Sequence, residues 1–167
     1  MITYNQLTGL LIISKAYYWI NQQHEWNPLS IEDEYDDLNY INGTILIVTD
    51  DIDINNLLCG VFGLNGFKCF KCTTAEEAIR ILEEHKQEVD SMLIDGKIAA
   101  DRGANIIVKS KIKNPQIKII VVANHGSIRT RVLEYGADDF MLKPVSAEVL
   151  TNRVITQLAR KKQQNIG

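Results

Sequence analysis

Thr44-Ile-Leu-Ile-Val-Thr-Asp-Asp51 is the stretch on which the fold turns. After Thr44 it runs through four aliphatic residues without a polar break, which predicts a short strand buried on both faces. It then stops on Thr49, Asp50 and Asp51. Residues 53–65 follow with Ile54, Leu57, Leu58 and Val61 at helical spacing, and Gly66 ends that helix. The same alternation continues to the end of the chain. Residues 67–72 predict a second strand, and Thr74 with Glu77 forms a capping box for a helix whose buried stripe is Ala78, Ile79 and Leu82. Residues 89–94 predict a third strand closed by Asp95, then a loop to about Arg102 and a helix over 103–113 stopped by Asn114-Pro115. Residues 117–122 form the most apolar strand, 127–135 a short helix before Gly136, 139–142 a last strand, and Ser146 caps a helix running towards Arg160.

Five β-α units in this order require parallel pairing with right-handed crossovers. The expected fold class is α/β, an open doubly wound parallel sheet. Such sheets place their sites at the carboxyl ends of the strands, near the topological switch point.

Composition bounds the rest. At 167 residues the chain suits one α/β domain with an appendage, and 46% hydrophobic with 23% charged residues is ordinary for a globular chain. A net charge of -3 supplies no basic field for nucleic acid. The apolar run Leu10–Ile13 is far short of the about 20 residues a membrane span needs. No basic segment opens the chain as in a signal peptide, because the first basic residue is Lys15. Three cysteines make no disulfide framework, and a cytoplasmic location is expected. Residues 1–43 differ in texture. They read as a helical extension with a broad apolar surface (Leu7, Leu10, Leu11, Ile13, Tyr17, Tyr18, Ile20) and an acidic linker, residues 31–38, with five acids and no base.

The strand ends carry the chemistry. The first ends in Asp50, the third in Asp95, the fourth in Ala123-Asn124 and the fifth in Lys143-Pro144. Clustered carboxylates repel unless a cation sits among them, and oxygen ligands with retained water suit Mg2+. A lysine opposite supplies a point charge for a phosphoryl oxygen. Carboxylate, divalent ion and lysine together can hold an acyl phosphate.

These residues resemble the receiver domains of two-component response regulators, in ordered pieces: Ile-Leu-Ile-Val-Thr-Asp-Asp (45–51), Ala-Glu-Glu-Ala (75–78), Met-Leu-Ile-Asp (92–95), Gly103 and Gly-Ala-Asp-Asp-Phe-Met-Leu-Lys-Pro (136–144). The resemblance spans about 44–160. It implies a flavodoxin-like sheet of strand order 2-1-3-4-5, a receiver over 44–162 and a tail over 163–167. It implies Asp95 as the phosphoacceptor and, with Lys143, the catalytic pair. Asp50, Asp95 and the main-chain carbonyl of Lys97 would bind Mg2+. Pro144 matches a residue often preceded by a cis bond, and Phe140 the mobile aromatic switch position. Asp138, Asp139 and Arg153 match intersubunit salt-bridge positions where receivers dimerise, although the shortened fourth helix counts against that dimer.

The departures are as informative. Thr49 stands where the family usually has an acid, which weakens the metal site. Asp51 is acidic but one residue further along. The switch hydroxyl that ends the fourth strand falls on Ala123, on an alignment with a deletion anchored at Gly126; without it Val121 falls there, also lacking a hydroxyl. Ala99 replaces a usual proline.

The expected function is a stand-alone receiver without an output domain. It would take a phosphoryl group on Asp95 from a histidine kinase or phosphotransfer protein and signal by contact with a downstream protein. Its own chemistry would be at most self-phosphorylation and autodephosphorylation. The alternative is a degenerate receiver working as a phosphorylation-independent interaction or dimerisation module. A Mg2+-dependent phosphatase with an aspartyl intermediate ranks lower, since Lys97 stands where it needs an acid. Nucleotide binding lacks a glycine-rich loop. Direct DNA binding is not expected. Cys69 and Cys72, three apart on a strand, point to opposite faces and read as packing. His24, His85 and His125 form no ligand motif, and His125 is expected on the rim.

Overall fold

The structure is a computed structural model that describes residues 43–101 and 103–164, with backbone alone at 101, 103–105 and 161–164. The expected extension, apart from Gly43, and residues 165–167 of the tail lie outside the described residues.

Five parallel strands form one sheet in the order β2-β1-β3-β4-β5, as expected. They are β1 (Thr44–Val48), β2 (Lys68–Cys72), β3 (Ser91–Asp95), β4 (Lys118–Ala123) and β5 (Asp139–Leu142). The helices are α1 (Ile52–Leu64), α2 (Ala75–Glu84), α3 (Gly96–Asp101), α4 (Gly103–Lys113), α5 (Arg129–Glu134, preceded by a 3-10 turn at Gly126–Ile128) and α6 (Ala147–Gln164).

Alternate residues of each strand feed two apolar layers. Ile45, Ile47, Leu93, Ile120, Val122 and Met141 pack with Leu58 and Phe62 of α1 and Leu150, Val154 and Leu158 of α6. Leu46, Val48, Met92, Ile94, Ile119 and Val121 pack with α2, α4 and α5 on the opposite face. Every residue of β1 is buried, which is why its sequence shows no alternation. β2, at the sheet edge, keeps Lys68 and Lys71 exposed, charges that discourage pairing with another strand.

Caps follow the sequence closely. The Oγ1 of Thr74 accepts from the Glu77 N–H at 3.2 Å. The Glu77 carboxylate reaches back to the N–H of Thr73, one residue before the cap. Gly66 and Gly136 both take positive φ, at 82° and 107°, where a side chain would be strained.

Three local readings are corrected. The residues after Asp95 form helix α3 at once, where a loop was expected. The buried stripe of α1 is Asn55, Leu58 and Phe62, whereas Ile54 and Leu57 face out, 42% and 63% exposed. The helix is turned so that the Asn55 amide can donate to the carbonyl of Cys72 at 2.9 Å, tying α1 to β2. In α2 Ala75 joins Ala78 and Leu82 in the core, and Ile79 is only partly buried.

Cys69 and Cys72 belong to opposite layers, and all three cysteines are free thiols. Burial pushes the Cys69 and Cys72 thiols up to about 12, so neither is a reactive thiolate.

Candidate functional site

Parallel pairing brings the carboxyl ends of β1, β3, β4 and β5 to one rim of the sheet. Asp50 follows β1, Asp95 is the last residue of β3, and Lys143 follows β5. The main-chain N–H of Lys143 donates to the carbonyl of Ala123 at 2.9 Å, which fixes where its side chain starts. The Lys143–Pro144 bond is cis.

Two side-chain pairs meet on this rim, Lys143 with Asp95 and Lys97 with Asp50. The Lys143 ammonium donates to Oδ2 of Asp95. That carboxylate is 11% exposed, and the Lys143 side chain 32%. The other oxygen, Oδ1, accepts the Lys97 N–H at 2.8 Å from the first turn of α3. Asp50 is half-exposed, and Lys97 Nζ lies 2.6 Å from its Oδ2. The Lys97 contact holds the Asp50 carboxyl below the usual carboxylate range, aided by the field of Lys143. Lys97 therefore bridges the two acids: backbone to Asp95, side chain to Asp50.

The departures have visible consequences. Asp51 caps α1, its Oδ1 accepting the Ile54 N–H at 3.0 Å, so it is spent on the helix. Thr49 is buried and its hydroxyl takes the Asp51 N–H at 3.4 Å. Ala123 is buried and brings only a methyl group to the rim. Phe140 is buried in the core, with the Arg129 guanidinium 6.0 Å above its ring. His125 is exposed on the loop after β4.

The interface candidates all have partners within the chain. Asp138 accepts from Lys111 Nζ at 2.7 Å, Lys118 Nζ at 3.3 Å and the Ile119 N–H at 2.8 Å. Asp139 is held by Arg153 at 3.0 Å and by Gln157 at 3.3 Å.

Two carboxylates and a nearby main-chain carbonyl are hard oxygen donors, the kind Mg2+ takes. The lysine ammonium against Asp50 is a stand-in cation that marks where positive charge is favoured. The chemistry of the donors fits a divalent ion, but the set is lean. Among the described residues no three His, Cys, Asp or Glu side chains are grouped to hold a metal.

The fold is a doubly wound α/β sheet with an acid–lysine pair at its carboxyl edge. Residues 45–155 match the family described as response regulator receiver domain, and the chain belongs to that family. A cyclic di-GMP phosphodiesterase of Thermotoga maritima is 33% identical over 121 residues, covering 71% of this chain and 32% of its own length. The transcriptional regulatory protein CpxR of Escherichia coli is 30% identical over 127 residues, covering 72% of this chain and 53% of its own. The chain thus spans about a third and about half of these relatives. Among solved structures, a CheY-like receiver domain protein from Methanospirillum hungatei superposes with a TM-score of 0.67 at 26% identity, covering 74% of this chain and 98% of that one. No helix among the described residues is long and apolar enough to cross a membrane.

Proposed function

We propose that the chain is a cytoplasmic receiver that accepts a phosphoryl group on Asp95 from a histidine kinase or phosphotransfer protein and signals by protein contact. The observation that carries this reading is the Lys143 ammonium hydrogen-bonded to the largely buried carboxylate of Asp95. The acceptor oxygen of Asp95 attacks phosphorus, the P–N bond to the donor imidazole breaks, and the released ring takes a proton. Lys143 is placed to neutralise a phosphoryl oxygen on Asp95. Asp50, Asp95 and the main-chain carbonyl of Lys97 would hold Mg2+ weakly, and the ion would supply further positive charge for the phosphoryl oxygens. Ile52, Ile54 and Leu57, exposed at 64%, 42% and 63% just beyond Asp50, give a partner an apolar surface beside the rim.

Incubation with acetyl phosphate and Mg2+, followed by intact mass, is expected to show one phosphoryl adduct on the native chain and none on Asp95→Asn. Lys143→Ala is expected to lower the rate of adduct formation at least about tenfold, the effect of losing a charge-assisted bond. An equal adduct on Asp95→Asn, or no adduct on the native chain, refutes the assignment.

Ala123 favours a second reading, phosphorylation-independent interaction. Ala123, at the end of β4, has no hydroxyl with which to hydrogen-bond a phosphoryl group. On this reading amide NMR shifts caused by the adduct stay next to Asp95 and the assembly state is unchanged.

A further inference from the structure

We propose that the Lys97 ammonium acts as a tethered cation that competes with divalent ions for Asp50, so that Mg2+ binds only when the Lys97 side chain is displaced. This rests on the reading of the rim as a receiver pocket and goes beyond it by naming what controls cation entry. Lys97 Nζ is 2.6 Å from Oδ2 of Asp50. A Mg2+ ion needs a comparably short bond, about 2.1 Å, to its carboxylate oxygen. Two cations crowded at one carboxylate repel strongly even near a protein surface.

The backbone fixes the competition in place. Lys97 is held in the first turn of α3 by its own N–H on Asp95 Oδ1 at 2.8 Å, so its side chain starts beside the site. That tether gives the ammonium a high effective concentration at Asp50, with no hydration shell as demanding as that of Mg2+ to strip. The side chain is nevertheless 69% exposed, so it has solvent to move into and the block is reversible. Asp95 does not share this feature, because its second oxygen faces Lys143 rather than Lys97. Lys97 is therefore a positioning residue for cations and is not required to touch the phosphoryl group.

Amide NMR titration with Mg2+ alone, without a phosphodonor, tests the idea on the full chain. Lys97→Met is expected to tighten Mg2+ binding about tenfold, from removing a half-exposed ion pair and a like charge. In the native chain the Lys97 side-chain Cε and Nζ resonances are expected to shift with the same saturation curve as the amides around Asp50. A merely remote electrostatic effect would leave those resonances still. Equal dissociation constants in the two proteins, no binding by Lys97→Met, or an unmoved Lys97 side chain at saturating Mg2+ each overturn the proposal. Failure of phosphoryl acceptance would instead show as a missing adduct in the mass experiment, so the two ideas fail separately.

Discussion

Gly96→Ala is expected to destabilise the domain by about 2–3 kcal/mol, the cost of forcing atoms into a filled space. A Cβ at Gly96 would lie 2.2 Å from the Cβ of Ala123, 2.8 Å from its Cα and 3.3 Å from Cδ1 of Ile128. The first two obstacles belong to the last residue of β4, so no long side chain can swing away. Either the end of β4 or the start of α3 must shift, and α3 carries the Lys97 N–H that holds Asp95. Urea denaturation measures the loss, and Ala123→Gly in the same chain removes one of the colliding methyls. The double variant is expected to recover at least about 1 kcal/mol of coupling, as contacting residues do. Gly96→Ala with native stability would show that the two strands' ends are not in close contact. The same contact packs the end of β4 tightly against the residue that follows Asp95.

That contact could not be read from the sequence, whereas much of the fold could. β1, β3 and β4 were legible because burial on both faces leaves unbroken aliphatic runs bounded by polar residues. Thr74 and Glu77 marked a helix start by local hydrogen bonding alone. Asp50, Asp95 and Lys143 were legible as a group because parallel topology sends every strand's carboxyl end to one rim. Helix α3 is not legible in the sequence because Gly96 opens it and six residues show no periodicity. The buried face of α1 is not legible from spacing because its apolar residues outnumber those it buries. Asn55, a polar residue, takes a core position by giving its amide to Cys72. The sequence resemblance assigns Lys97 a role only through its backbone carbonyl, whereas its side chain also enters the site. Nothing in a linear sequence says that an ammonium at position 97 reaches a carboxylate at position 50. The same applies to Asp138, whose partners Lys111 and Lys118 lie on different elements.

Asp138 carries the second large expected effect. Its carboxylate is 17% exposed and joins the C-terminal end of α4, through Lys111, to β4, through Lys118 and the Ile119 N–H. Lys111 also donates to the carbonyl of Ile117, so its ammonium is held between two acceptors. Asp138→Ala would leave two lysines, 23% and 12% exposed, facing each other without the charge between them, and one buried strand N–H without its partner. Removing one partner of a buried pair costs 3–5 kcal/mol when burial is complete. Partial exposure here lowers the expected loss to about 2–4 kcal/mol, since water can reach part of the cluster. Asp138→Asn keeps an acceptor for Ile119 and is expected to cost about half as much. Lys68–Glu88, whose side chains are more than half exposed, is the control, and its disruption is expected to leave stability nearly unchanged. Denaturation at two protein concentrations separates this account from an intersubunit role. A loss that is the same at both concentrations places the work of Asp138 inside the domain, whereas a loss that disappears on dilution places it between two copies of the chain.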